Sequence, residues 1–143
     1  PFSAERNPNY ALVAHGCSLG AYHAMNITLR HPDRFAKVVA LSGRYDLTYS
    51  AGSFRGLFDD HYDDLVYFNT PTHFLPHLKD ETVLDQLRHT EIVFAIGKED
   101  AFLENNRTLS RQLQEKNIPH QFVLWDGEAH RPFYWRRMVR FYL

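Results

Sequence analysis

Residues 14–24 of the chain read AHGCSLGAYHA, and residues 16–20 within them form the pattern G-x-S-x-G around Ser18. This pattern is typical of a tight turn between a strand and a helix, with the serine exposed at its tip. Glycines two residues to either side, Gly16 and Gly20, let the backbone pass without side-chain clashes. At average glycine and serine usage the pattern arises by chance in about one chain of twenty at this length. Its meaning therefore depends on the residues that flank it.

The flanking residues fit a strand–turn–helix unit. Residues 10–15 (YALVAH) form a continuous apolar run, which predicts a strand buried on both faces. A helix is predicted from Ala21 to His31, because Pro32 disfavours the helical conformation in the residue before it. Both flanks strengthen the interpretation of the pattern as a structural turn.

The rest of the chain alternates between apolar runs and helical patterns. Three further buried strands are predicted at residues 37–41 (KVVAL), 91–96 (EIVFAI) and 121–125 (QFVLW). Helices are predicted from the cap Asp80 to about Arg88, from about Leu103 to Lys116, and from about Phe133 toward the end. Such alternation implies right-handed crossovers between parallel strands. We therefore predict an α/β fold in which a parallel sheet has flanking helices.

One connection, residues 44–79, is long, irregular, aromatic and acidic, and it contains FDDHYDD at residues 58–64. Connections of this length are usually functional or act as lids. We predict a single domain over residues 1–143 with an insertion or lid-like segment at 44–79. Its part at residues 54–68 is expected either to shape the choice of substrate or to be a solvated cover with a few core aromatics.

Composition narrows the classes of function. The chain has 143 residues, a net charge of −1 with histidines neutral, and 44% hydrophobic residues, which fits one globular domain. This charge gives no basic footprint for nucleic acid, and no apolar run approaches the roughly 18 residues that span a membrane. We therefore expect neither nucleic acid nor a membrane as a partner.

The single cysteine, Cys17, excludes an internal disulfide. No grouping of residues has zinc-ligand spacing, so no metal is expected.

Residues suited to nucleophilic catalysis follow the predicted strands. A serine hydroxyl needs a base to take its proton and a carboxylate to orient that base. Asp100 and Glu99 follow the third strand, and His130 follows the fourth. The carboxyl ends of parallel strands meet at one edge of the sheet, so these side chains are expected beside Ser18. We predict the triad Ser18, Asp100 and His130, with Glu99 as the alternative acid, and the Leu19 amide as an oxyanion donor.

Other reactive residue types have simpler interpretations. Cys17 occupies the variable position of the motif, which the turn should point away from a substrate, so a buried apolar role is expected. Glu128 is expected to be solvated or structural. The remaining histidines that we considered are interpreted as surface or core polar residues: His15, His23, His61 and His73.

Three stretches resemble the α/β-hydrolase family named Putative esterase. They are GCSLGAYHAMNITLRHPDRFAKVVALSGRYDL at residues 16–47, IGKEDAFLENNRTLSRQL at 96–113 and HRPFYWRRM at 130–138. The resemblance runs from about Tyr10 to the C-terminus, and the family is similar to formylglutathione hydrolases, feruloyl esterases and mycolyltransferases. It implies a cofactor-free serine esterase that acts on a small-molecule or carbohydrate-linked ester. The predicted residues Ser18, Asp100 and His130 fall on its catalytic positions, and the Leu19 amide on one oxyanion donor.

The chain also departs from the family pattern. Ala21 replaces a second glycine after the turn, and Arg131-Pro132 follows the histidine where Asp-Trp is common, with Trp135 further on. Members usually carry a longer upstream part with the first strands and the other oxyanion donor. We therefore expect an incomplete domain, the C-terminal half of an α/β-hydrolase fold. Its exposed first strand would pack against the missing N-terminal half or a second copy.

The expected reaction is cleavage of a carboxylic ester through an acyl-enzyme. Two alternatives stay open at the level of sequence. One is an acyltransferase of the same fold, in which a second alcohol replaces water. The other is a catalytically inactive fragment or binding module.

Overall fold

The computed structural model describes residues 11–143, and in them four strands form one parallel sheet in the order β1-β2-β3-β4. The strands are β1 (Leu12–Cys17), β2 (Phe35–Leu41), β3 (Glu91–Gly97) and β4 (Gln121–Trp125). Because the order in space follows the order in the chain, each connection crosses over one face of the sheet. The predicted α/β class with a parallel sheet is confirmed.

Helices cover both faces of this sheet. They are α1 (Leu19–Arg30), α2 (Asp64–Phe68), α3 (Pro71–Phe74), α4 (Glu81–His89), α5 (Leu103–Glu115) and α6 (Pro132–Tyr142), with 3-10 turns at Pro32–Arg34 and Leu75–His77. Successive strand residues point to opposite faces. Val38 therefore packs in the core beneath α1, α4 and α5, whereas its neighbour Val39 packs with Met138 of α6.

The first strand and helix meet more tightly than the sequence predicts. The strand continues through Cys17, which pairs with Leu41 of β2, and α1 begins at Leu19 rather than at Ala21. Ser18 alone makes the turn, because residues 16 and 17 keep their pairing to β2 up to the last position. Residue 10, where the predicted strand began, lies outside the described residues.

The connection 44–79 is more ordered than predicted. It contains α2, α3 and the 3-10 turn at Leu75–His77. The carboxylate of Asp63 caps α2 by accepting from the Val66 amide at 2.9 Å. The expectation of an irregular segment is therefore wrong for residues 64–77, where caps and prolines set short helical turns. Its role as a lid stays a prediction.

Buried Arg44 organises the first part of this connection. Its guanidinium donates hydrogen bonds to the backbone carbonyls of Leu47, Tyr49 and Arg55. Burial lowers the pKa of Arg44 from its usual value. Arginine stays charged in proteins even so, and its fork of donors satisfies several carbonyls at once. This single side chain therefore fixes the path of residues 46–55.

The predicted cap of α4 is confirmed. The Asp80 carboxylate accepts hydrogen bonds from the backbone amides of Thr82 and Val83 at 2.9 and 3.3 Å.

In residues 11–143, no helix combines the length and the apolar character needed to cross a bilayer.

Candidate active site

Ser18 lies at a strained turn between β1 and α1. Its φ of 54° falls in the left-handed region, where residues other than glycine are uncommon. Its amide donates to the carbonyl of Leu41 at 2.8 Å, so β2 holds the turn from the side. A Cβ atom built on Gly16 would overlap the carbonyl oxygen of Gly20. Only glycine therefore fits at position 16 without moving the strand or the helix.

Gly20 does not meet the same requirement in the described structure. A Cβ atom built there would have no described atom within 4 Å. The prediction that both flanking glycines permit close backbone approach is therefore wrong for Gly20. The backbone carbonyl of Gly20 lies against Gly16, but the side-chain position of Gly20 points into open space.

His130 connects Ser18 to a buried carboxylate. Its Nε2 lies 3.0 Å from the Ser18 Oγ, and its Nδ1 lies 2.7 Å from the Asp100 Oδ2. We assign the ring proton to Nδ1, because a carboxylate accepts there and Nε2 is then free to accept from the serine hydroxyl. The structure thus brings together the three predicted side chains in one hydrogen-bonded chain.

Asp100, rather than Glu99, is the carboxylate in contact with His130. Its side chain is only 2% exposed, and its second oxygen accepts from the Phe102 amide at 2.9 Å. Glu99 is exposed, and its amide donates to the carbonyl of Gly127 at 3.0 Å. The turn after β3 therefore points the two neighbouring acids in different directions, which the sequence alone could not show.

Residues 3–138 match the family model described as Putative esterase. The chain belongs to the Putative esterase family. Among curated proteins it has no significant match.

Solved structures share the fold of this family member. A ferulic acid esterase has a TM-score of 0.68 and 23% identity, covering 87% of this chain and 46% of its own. The S-formylglutathione hydrolase of Staphylococcus aureus has a TM-score of 0.59 and 23% identity, covering 90% and 47%. A fluorophosphonate-binding serine hydrolase of the same organism has a TM-score of 0.65 and 22% identity, covering 90% and 51%. The chain thus spans about half the length of these structures.

Leu19 begins α1 in this family member, and its amide is one of the first amides of the helix. Such amides have no partner within the helix, and the positive end of the helix dipole lies there. This amide donates no hydrogen bond to any of the described residues. The position suits a donor to an anion formed next to Ser18.

Close backbone packing joins the loop of Asp100 to the loop of His130. A Cβ atom built on Gly97 would overlap the carbonyl oxygen of Glu128. Beside it, the Lys98 amide donates to the Trp125 carbonyl at 2.8 Å. Glycine at position 97 therefore allows the acid and the histidine to approach. The sequence does not single out Gly97, which directly follows the predicted strand at residues 91–96.

Trp135 supports His130 from the far side. The two rings lie edge to face with centroids 5.5 Å apart. The Trp135 indole nitrogen donates to the Ser42 Oγ at 3.0 Å, and that hydroxyl lies 3.4 Å from the carbonyl of Ala129, the residue before His130. The sequence indicates no role for Trp135 beyond its place after Arg131-Pro132, and it does not single out Ser42. The sequence signal that could have identified Ser42 is its place directly after a buried strand, at the edge of the sheet where the site lies.

Phe54 brings the connection 44–79 to the edge of the site. Its ring centroid lies 6.3 Å from that of His130 and 5.0 Å from that of Phe102, and the residue is 46% exposed. The Arg44 guanidinium lies 5.2 Å from the centre of the Phe102 ring. The segment that Arg44 orders therefore places the Phe54 ring, packed on Phe102, beside His130.

Cys17 packs against the apolar cluster beneath α6, away from the exposed tip of the turn. Burial raises the pKa of its thiol, which keeps the thiolate scarce near neutral pH. The expected apolar packing is observed, although the side chain is half-buried rather than fully buried. In the part of the chain that the structure describes, no group of three or more histidine, cysteine or acidic residues could hold a metal ion.

The remaining histidines named above, and Glu128, are not part of the hydrogen-bonded chain of Ser18, His130 and Asp100. The His15 Nδ1 donates to the Val39 carbonyl at 2.8 Å. His61 contacts Asp63, and His73 lies between Asp46 and Tyr62. His23 and Glu128 are exposed.

Proposed function

We propose that the chain carries the catalytic residues of a serine esterase, with Ser18 as nucleophile, His130 as general base and acid, and Asp100 as the orienting carboxylate. The observation that carries this proposal is the continuous hydrogen-bonded chain at 3.0 and 2.7 Å that begins at a serine in a left-handed turn. Strained residues of this kind concentrate at active sites. Membership of the Putative esterase family supports ester hydrolysis as the reaction class.

The first half of the reaction forms an acyl-enzyme. The Ser18 Oγ attacks the acyl carbon while His130 Nε2 takes the hydroxyl proton. The carbonyl oxygen becomes an oxyanion, which accepts a hydrogen bond from the Leu19 amide. The tetrahedral intermediate then collapses, and the His130 imidazolium gives its proton to the departing alcohol.

The second half releases the acid. A water molecule loses a proton to His130 Nε2 as its oxygen attacks the acyl carbon. The second tetrahedral intermediate breaks the bond to the Ser18 Oγ, which regains the proton. Throughout, the buried Asp100 carboxylate holds the ring orientation and stabilises the imidazolium. The substrate is a small-molecule or carbohydrate-linked carboxylic ester.

Labelling with a fluorophosphonate tests the nucleophile directly. We expect a covalent adduct on Ser18, located by mass spectrometry of peptides. The Ser18→Ala variant should give none, whereas Ser53→Ala, which removes an exposed hydroxyl from the residue before Phe54, should label like the parent. Labelling needs a single attack by the serine rather than repeated turnover, so it reports the nucleophile even where turnover is slow. An adduct elsewhere, or none on a folded chain, would refute the proposal.

Product analysis then separates hydrolysis from acyl transfer. With p-nitrophenyl acetate and an added sugar alcohol, an esterase releases acetate at the same rate as nitrophenol. An acyltransferase of the same fold would instead place the acetyl group on the sugar, because the same three residues can serve either acceptor.

A further inference from the structure

The outward face of α6 carries an exposed row of aromatic and basic side chains. Phe133, Arg137 and Phe141 follow one another at four-residue spacing, and Arg140 lies next to them on the same face. We call these four residues the α6 ridge. Phe133 and Phe141 are 65% and 71% exposed, whereas Met138 on the opposite face is fully buried. The ridge is therefore not part of the core packing of the helix.

The charge of this region differs from that of the whole chain. Residues 131–143 contain four arginines and no acidic residue, although the net charge of the chain is −1. Within residues 11–143, none of these arginines forms a salt bridge. Arg137 instead lies 5.7 Å from the centre of the Phe133 ring and 5.9 Å from that of Trp125. The positive charge of the ridge thus faces solvent without a counter-ion from the described chain.

The ridge lies at one end of the sheet. Arg137 and Phe141 both contact Trp125 of β4, the strand at the opposite end of the sheet order from β1. A chain that paired with the outer side of β1 would therefore lie away from the ridge. The helix begins two residues after His130, so the ridge starts beside the proposed active site.

We propose that the α6 ridge binds an anionic lipid surface. Guanidinium groups pair with lipid phosphates and carboxylates, and exposed phenyl rings enter the boundary between head groups and acyl chains. A second copy that docked through its own ridge would present the same positive charge to this face. A polyanion without apolar groups would leave both phenyl rings in water. The combination of charge and exposed aromatics therefore favours lipid.

This contact is compatible with the lack of a spanning segment. The expectation of no membrane partner rests only on the charge of the whole chain and on the absence of a long apolar run. A peripheral contact needs neither a long run nor a basic chain, because a local patch on a folded helix is sufficient. The proposal goes beyond ester hydrolysis and does not depend on it.

Vesicle flotation with the full chain tests the proposal. We expect binding to phosphatidylcholine vesicles that contain phosphatidylserine, little binding to phosphatidylcholine alone, and release at high salt. The double variant Arg137→Gln/Arg140→Gln should weaken binding about tenfold or more, since each basic residue near such a surface contributes severalfold. Phe133→Ala/Phe141→Ala should also weaken it and leave the salt dependence unchanged.

A matched control distinguishes the ridge from general charge. Arg34 and Arg111 are exposed and lie outside the ridge, so Arg34→Gln/Arg111→Gln removes the same charge elsewhere. This control should bind like the parent chain. Circular dichroism melting checks the fold, and Arg140→Gln alone replaces the double variant if that variant does not fold.

Three outcomes would overturn the proposal. Equal binding to vesicles with and without phosphatidylserine would exclude charge recognition. An equal loss in the control and ridge variants would exclude the ridge. Retention on heparin through the ridge, with no binding to vesicles, would show that the partner is a polyanion.

Discussion

The indole nitrogen of Trp135 and the hydroxyl of Ser42 are hydrogen bonded at 3.0 Å, although 93 residues separate them in the chain. Ser42 is fully buried, has a φ of 52° and directly follows β2. The bond fixes the first turn of α6 to the end of the central strand. It thereby holds the ring that packs against His130. The histidine loop is thus anchored by a polar contact beneath it as well as by Asp100.

Replacing Trp135 by phenylalanine should slow the chemistry at Ser18. The ring contact to His130 would largely remain, but the bond to Ser42 would be lost. A hydrogen bond of about 1 kcal/mol corresponds to a roughly fivefold decrease in the labelling rate if its loss falls on the histidine position. Trp125→Phe is the matched control, since its indole donates to Tyr142 at 2.9 Å without contacting His130. Equal labelling rates in both variants would show that Trp135 acts only on stability.

The two neighbouring acids should respond differently to neutralisation. Asp100→Asn leaves the shape intact but presents an amide to the His130 Nδ1, which favours the wrong tautomer. A loss of about 10⁴-fold in rate is the scale known for this change in serine proteases. Glu99→Gln changes an exposed side chain and should label at the parent rate. Rates of fluorophosphonate labelling measure both, and a larger loss in Glu99→Gln would reassign the acid.

Much of the fold follows from local sequence signals. The β4 strand has the predicted bounds, because a continuous apolar run between polar residues defines it. The cap at Asp80 follows from a carboxylate directly before a helical pattern. The positions of Ser18, Asp100 and His130 follow from one rule, that parallel strands deliver their carboxyl ends to the same edge. These features depend on nearby residues and on strand order alone.

Other features depend on contacts between distant residues. The choice of Asp100 over Glu99 results from how the turn after β3 packs on Gly127. The contact of Gly97 with Glu128 joins two loops, and no local pattern at either position indicates it. The short helices at 64–77 contain two prolines and little periodicity, so their formation depends on caps and on packing against α5. Such features appear only when the chain is folded.

Alanine at the two motif glycines should have opposite effects. Gly16→Ala places a methyl group on the Gly20 carbonyl, so the strand and helix must separate. Overpacking of this kind costs about 1–3 kcal/mol, and the Ser18 turn should be disturbed with it. Gly20→Ala adds a methyl group in open space within α1, where alanine favours the helix by about 0.5–1 kcal/mol. Thermal unfolding measures both changes, and a destabilising Gly20→Ala would indicate a contact outside the described residues.

Replacing Tyr45 by phenylalanine should stabilise the fold. Tyr45 is fully buried, and its hydroxyl has no hydrogen-bond partner among the described residues. Removing an unsatisfied buried hydroxyl should stabilise by about 1 kcal/mol, which raises Tm by roughly 2–4 °C at this size. Tyr142→Phe removes a hydroxyl that accepts from Trp125 and should lower Tm by a similar amount. A lower Tm for Tyr45→Phe would show that the hydroxyl has a hydrogen-bond partner, either a water molecule or a group outside the described residues.

The thiol of Cys17 should stay protonated to a higher pH than an exposed thiol and therefore react more slowly at the same alkaline pH. Burial raises the pKa of this thiol above its ordinary value, so the folded chain holds the proton more tightly than the unfolded chain. The folded state therefore loses stability as the pH rises from the pKa of the unfolded thiol through that of the folded thiol, because the thiolate is less favourable in the folded state.

Alkylation by iodoacetamide, followed by mass spectrometry, reports one site, since the chain has one cysteine. The rate should increase with a midpoint above that of the urea-unfolded chain. Cys17→Ala should remove this part of the alkaline destabilisation and retain labelling at Ser18, whereas a midpoint below neutral pH would make Cys17 a competing nucleophile.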